Sequence, residues 1–420
     1  MSDQPKKLNR RSFLTGFTVA SAGAAVSAAS ACAGQEGGGA SISDAMASAE
    51  PELVASVVEF DGPHQAGIAT PGQALLNLVA FTVRADVDRE GIRRLLKLWT
   101  DDARRLCAGH TPLGDLEPEM VTVPANMTIT CGFGSKFFDL IGKPDLRPEW
   151  LAPLPAFSRD KLDDTWGEAD IVLQLCADDP TTLAHATRHM IRAGVDYVAT
   201  RWMQQGFLSA HGAHSAGETP RNLFGLKDGT VNPRSDADFD DIVWIDQGPS
   251  WVQGGTCMIV RRISMNMDTW EILDRGSREI AFGRKLDSGA PLTGDWEFDT
   301  PDYSAVDNYG IPLIDRMSHM ARSTNPVDKP GQKIARRAYN YDLPPQPGSE
   351  QSSNSGLVFI CFQKDPREQF IPIQERLDEG DRINQWTTHI GSAVFFCPPG
   401  VDEAGGDRGK YWGAGLFDAA

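Results

Sequence analysis

The sequence predicts an α+β fold in which one unit built on an antiparallel sheet occurs twice. Three observations carry that prediction. Short apolar runs of strand character recur along the chain and alternate with stretches whose apolar residues fall at helical spacing. The same punctuation also appears in both halves. An apolar run ends in cysteine and an Asp-Pro pair then opens a helix, at Cys176/Asp179-Pro180 and again at Cys361/Asp365-Pro366. Finally, 420 residues, 41% of them hydrophobic and 23% charged, suffice for two globular units with their own cores.

In chain order, Leu75–Arg84 reads as a largely buried strand. Ile92, Leu95, Leu96, Trp99, Ala103 and Leu106 then mark one face of an amphipathic helix. Met127–Gly132 and Ile171–Cys176 are the next strands. Asp179 caps a helix with proline at its first position, Gly194 ends it, and Val195–Trp202 is a fourth strand. The second half opens with a strand at Thr256–Ile263 and a short helix near Asp268–Leu273. It resumes with a strand at Gly356–Gln363, a helix toward Leu377 that Pro372 should kink or interrupt, and a strand at Ser392–Cys397. Two ferredoxin-like units, residues 53–235 and 236–420, account for this order, with helices on the outer faces of their sheets. The second carries an insertion of roughly 271–355, and long insertions of weak periodicity are where functional sites are expected.

The N-terminus belongs to targeting. Lys6-Lys-Leu-Asn-Arg10-Arg11-Ser-Phe-Leu14 and the small-residue run to Ala31 read as a twin-arginine export signal over residues 1–33, followed by a flexible linker over 34–52. The expected location is periplasmic, extracellular or cell-surface, with Cys32 as an alternative lipid anchor. Export in the folded state hints at a prosthetic group. A net charge of −17 argues against nucleic acid or anionic membranes as partners. The remaining cysteines are too widely spaced for a zinc knuckle and read mainly as buried free thiols.

Asn222-Leu-Phe-Gly-Leu-Lys-Asp-Gly-Thr-Val-Asn-Pro233 holds a carboxylate, Asp228, between glycines, which by itself describes a surface turn. Of the eight histidines, His185 and His189 have metal-ligand spacing but no third ligand nearby, so a solvated helix face is expected for them. His64 reads as structural or ligand-lining, and His389 carries no assignment. His319 lies inside the insertion between Met317 and Met320, a setting that suits either a packed core histidine or an axial haem ligand. Arg336-Arg337 follows 17 residues later in a strand-like run, where only one of two neighbours can face a given cavity. With no Cys-x-x-Cys-His, any haem is non-covalent.

These segments together resemble the dye-decolourising peroxidases, particularly their exported subgroup. The likeness runs through Gly62-Pro-His-Gln-Ala-Gly-Ile68, Arg201-Trp-Met-Gln-Gln-Gly-Phe207, Thr219-Pro-Arg-Asn222 with the loop that follows, Gly283-Arg284, the His319 region, Arg336-Arg337, and Asp365 to Gly400. The resemblance implies two ferredoxin-like domains with haem b held between sheet and helices. It implies His319 as axial ligand, Asp228 as distal acid-base residue and Arg336, rather than Arg337, as distal arginine. Gly229, Thr230, Asn232, Arg284, Leu357 and Phe359 are implied to line the cofactor. The reaction implied is reduction of hydrogen peroxide and oxidation of dyes, phenolics or similar aromatic reductants through a ferryl intermediate. The reference pKa of aspartate, about 3.9, then predicts acidic optima. Two alternatives share these residues: a deferrochelatase that releases iron from haem, with iron-uptake components as partners, and an exported haem carrier. A homo-oligomer stays open, and the carboxylate partner of His319 is not identified by the sequence.

Overall fold

Two four-stranded antiparallel sheets, one from each half of the chain, meet edge to edge in a computed structural model that describes residues 52–215, 217–345, 347–406 and 409–419. The export signal, Cys32 and the linker up to residue 51 lie outside the described residues. The strands are β1 (Leu75–Val83), β2 (Thr128–Phe133), β3 (Ile171–Ala177), β4 (Val198–Phe207), β5 (Thr256–Met265), β6 (Ala335–Arg336), β7 (Tyr339–Leu343), β8 (Asn354–Gln363) and β9 (Thr387–Cys397). The first half has the spatial order β2-β3-β1-β4, the second β9-β5-β8-β7. Each is the order of a ferredoxin-like unit, so the duplication read from the sequence is present in the fold.

The two sheets are not separate. Phe133 pairs with Phe396 across β2 and β9, and Phe207 pairs with Asn340 across β4 and β7, so eight strands close into a ring. The short β6 adds to β8 beyond the end of β7. Inside the ring, Leu76, Leu78, Val172, Met258, Val260, Tyr339, Val358, Ile360 and Phe395 form a buried cluster.

Helices cover the outer faces. In α1 (Arg89–Cys107), Asp88 caps the first turn by accepting from Gly91 N at 2.7 Å, and the predicted stripe from Ile92 to Leu106 is buried. In α2 (Pro180–Ala193), Asp179 accepts from Thr182 N at 2.7 Å and Gly194 is the C-cap, as the sequence indicates. Further on come α3 (Arg275–Phe282), α4 (His319–Ser323) and α5 (Phe370–Gly380).

Three expectations need correction. The insertion is not wholly outside the sheet, because β7, second in chain order among the four strands of the second unit, lies within it. Asp365-Pro366 does not cap α5, which begins at Phe370; Pro372 therefore falls in the first turn, where a missing N–H leaves no bond unmade. His185 and His189 are not solvated. Both are buried, with His185 Nε2 2.6 Å from Asp115 Oδ2 and His189 Nε2 2.9 Å from Asp102 Oδ2. Carboxylates brought from α1 and from the following loop satisfy them, and nothing local to α2 reveals that. The six described cysteines are buried and free.

Gly356 sits where β8 runs beside β5 with no room for a side chain. A Cβ there would stand 2.0 Å from the Ile263 carbonyl oxygen and 2.5 Å from the Tyr341 ring. Gly356→Ala is expected to cost about 1–3 kcal/mol through overpacking, read as a lower denaturant midpoint. An unchanged midpoint would show that the β5–β8 spacing is looser than described.

Candidate active site

A cavity of about 730 Å³ opens between the outward face of the second sheet, the 222–234 loop and the segments around α4 and α5. Strand alternation chooses its floor. Arg261, Ile263 and Met265 from β5 and Leu357 and Phe359 from β8 line it, whereas Val260, Val358 and Ile360 face the inside of the ring. Arg336 and Arg337 divide in the same way. Arg336 lines the cavity, while Arg337 donates to the Thr70 carbonyl and to Gln73 on the opposite side.

Asp228 and Arg336 meet directly as a charged pair, Oδ1 of the acid accepting from Nη2. Asp228 Oδ2 is more weakly engaged, accepting from Asn222 Nδ2 at 3.3 Å. The loop carrying Asp228 is tied to β6 by a single amide: Asn232 Nδ2 donates to the Arg336 carbonyl at 2.7 Å, and Arg336 N donates to Asn232 Oδ1 at 3.0 Å. Gly229 makes the turn possible with a φ of 125°, in the region that side chains avoid. Thr230 Oγ1 donates to Glu297 at 3.0 Å, and Lys227 pairs with the same carboxylate at 2.7 Å. Arg284 is buried and donates through Nη1 to the Gly289 and Glu297 carbonyls at 2.7 and 2.8 Å. Its burial lowers the guanidinium's pKa from the ordinary value.

His319 opens α4 on another part of the wall, where Ser318 caps the helix. Its Nδ1 lies 2.6 Å from Oδ2 of Asp381, a buried carboxylate whose Oδ1 accepts from Ile383 N at 3.0 Å. With Nδ1 so engaged, Nε2 is the nitrogen left for another ligand; among the described residues it has no hydrogen-bond partner. Asp381 is the carboxylate that sequence reasoning could not find. It stands 62 residues beyond His319, just past the end of α5, and no local pattern links the two. Of the residues predicted for the site, Asp228, Thr230, Asn232, Arg284, His319, Arg336, Leu357 and Phe359 all line the cavity, while Gly229 shapes the loop behind it.

The fold and the cavity are those of an enzyme that works through a bound cofactor. Residues 65–208 match the Dyp-type peroxidase N-terminal domain and residues 219–402 the C-terminal domain. The chain belongs to the Dyp-type peroxidase family. It is 36% identical over 379 residues to a deferrochelatase of Escherichia coli K12, covering 85% of this chain and 86% of that protein. It is 34% identical over 395 residues to a dye-decolorizing peroxidase of Thermobifida fusca, covering 90% of each. Among solved structures, a DyP-type peroxidase from Cellulomonas bogoriensis superposes with a TM-score of 0.82 at 44% identity, covering 87% of this chain and 99% of that one. One from Streptomyces coelicolor gives 0.82 at 36% identity, covering 88% and 100%.

Haem, the cofactor of this family, fits the residues present. The volume lies within the ~300–1,000 Å³ usual for cofactor pockets. Phe282, Met320, Leu357, Phe359 and Ile383 supply apolar walls for a flat ring. His319 offers a carboxylate-backed imidazole of the kind that serves as an axial ligand.

His389, left unassigned by the sequence, also lines the cavity. Burial, and then the charge of Arg261, push its pKa down from 6.5 to about 3. The folded chain therefore refuses a proton that the unfolded chain accepts. The sign follows: stability is full above about pH 6.5 and falls as pH drops toward about 3. In urea titrations between pH 7 and 4, His389→Gln should show a shallower loss of stability with acid than the unmodified protein. Equal slopes would mean that His389 is not held neutral.

Proposed function

We propose that this protein is a haem b peroxidase that reduces hydrogen peroxide and oxidises aromatic or dye-like reductants. In this reading His319 would hold the haem iron, Asp228 would be the acid-base residue and Arg336 the charge-stabilising arginine. The observation that carries it is the sharing of one cavity by a carboxylate-backed histidine and an acid–arginine pair drawn from segments 108 residues apart.

Bound there, haem would supply the redox-active iron for peroxide reduction. The chain moves the proton. Asp228 Oδ2, the oxygen not committed to Arg336, takes a proton from the nearer peroxide oxygen and returns it to the departing one, which leaves as water. Arg336 stays cationic throughout and offsets the negative charge on the peroxide. Asn232 holds the Arg336 backbone and so fixes the distance between Asp228 and Arg336. Asp381 orients the imidazole and strengthens its donation.

Relatives named deferrochelatase favour a second reading on the same residues, release of iron with the porphyrin left intact. The twin-arginine segment supports export of either enzyme. A reductant turnover assay and an assay for free protoporphyrin after haem loading separate the two.

Asp228→Asn and Arg336→Leu are each expected to slow the stopped-flow reaction with peroxide roughly 10²–10⁴-fold while the Soret band persists. Unchanged rates would remove these residues from the mechanism. His319→Ala should lose or displace the Soret band, and a normal spectrum would exclude His319 as the ligand.

A further inference from the structure

The deep end of the cavity carries a polar group that the peroxide chemistry does not use. Arg261 is 1% exposed and lines the cavity floor. It pairs with Asp160 from the first half, donates through Nη1 to Ser392 Oγ at 3.3 Å, and donates through Nε to His389 Nδ1 at 3.3 Å. An arginine nitrogen can only donate, so His389 Nδ1 must be the acceptor. The imidazole is thereby fixed as the tautomer with its proton on Nε2. His389 is 8% exposed and lines the same cavity, and among the described residues its Nε2 has no partner. On the cavity wall, that N–H can donate to an acceptor held in the cavity.

Haem b presents few groups at its edge: methyls and vinyls, which cannot accept a hydrogen bond, and two propionate carboxylates, which can. We infer that His389 Nε2–H, backed by Arg261, holds one propionate of the cofactor at the deep end of the cavity. The inference rests on the haem reading above. The site is suited to a carboxylate. His389 contributes a donor rather than a second charge, and the Arg261 charge, already shared with Asp160, steadies the anion without demanding another salt bridge. Asp160 is a residue of the first half, so both halves of the chain contribute to the anchor. Asp378, an acid acting on His389, is occupied by Ser158 and by the Arg159 backbone N–H.

The test compares haem with its dimethyl ester, in which neither carboxylate can be ionised. Full-length protein produced without cofactor is titrated with each, following the Soret band, and the ratio of the two affinities is taken. His389→Phe, which keeps a flat ring but has no donor, should lower the preference for the free acid roughly tenfold or more, the scale of a hydrogen bond to a charged group. His389→Gln, which keeps a donor, should restore part of it. A His389→Phe ratio equal to that of the unmodified protein would overturn the inference while leaving haem binding intact. If the unmodified protein gave no Soret band with haem, the cofactor reading itself would fall. Should His389→Phe not fold, infrared spectra of the unmodified protein loaded with carboxylate-labelled haem decide instead. Two solvent-like carboxylate bands would overturn the anchor, and one shifted band that persists at least in part in His389→Gln, which keeps a donor, and returns toward the solvent position in His389→Leu would support it.

Discussion

A strand can send only alternate side chains to each of its faces, and that constraint organises this molecule. The second sheet is a single layer with the packed interior of the ring behind it and the cavity in front. Every residue along β5 and β8 is allotted to one side or the other by parity. Leu357 and Phe359 become walls for a flat ligand because Val358 and Ile360 are needed inside. Arg261 reaches the cavity because Arg262, its neighbour, turns inward to Gln204 and lies over the Trp166 and Tyr341 rings. A shift of one residue in the β5–β8 register would exchange the two sets and abolish pocket and core together.

The charged pair at the centre of the site inherits its geometry from this arrangement. Arg336 belongs to a strand of two residues, too short to fix a side chain unaided. Asn232 supplies what the strand lacks by bonding both backbone groups of Arg336 from the neighbouring loop, the same loop that carries Asp228. Carboxylate and guanidinium are therefore positioned against each other by one amide rather than by separate parts of the scaffold. On the other side, the buried Asp381 does the equivalent for His319.

Much of this was legible in the sequence, and the failures have physical causes. Strands and helices whose signals are local, such as the capped α2 and the apolar β3, lie where periodicity and caps indicate. The parity argument on Arg336-Arg337 also worked, because side-chain alternation is a property of the strand itself. What stayed hidden depends on residues distant in the chain. His185 and His189 look solvated until Asp102 and Asp115 arrive from elsewhere. Asp381 has no signature because its partner is 62 residues away, and the edge joins at Phe133–Phe396 and Phe207–Asn340 are contacts of topology, not of pattern.

The cavity draws its walls from a loop of one half, the strands of the other and the helices laid over them. Such a surface does not exist in the unfolded chain, so whatever binds there binds the folded form alone. Occupancy and foldedness then become a single equilibrium: a ligand at a hundred times its dissociation constant adds about 2.7 kcal/mol to the stability of the whole molecule. For a chain built this way, cofactor supply sets stability as well as activity.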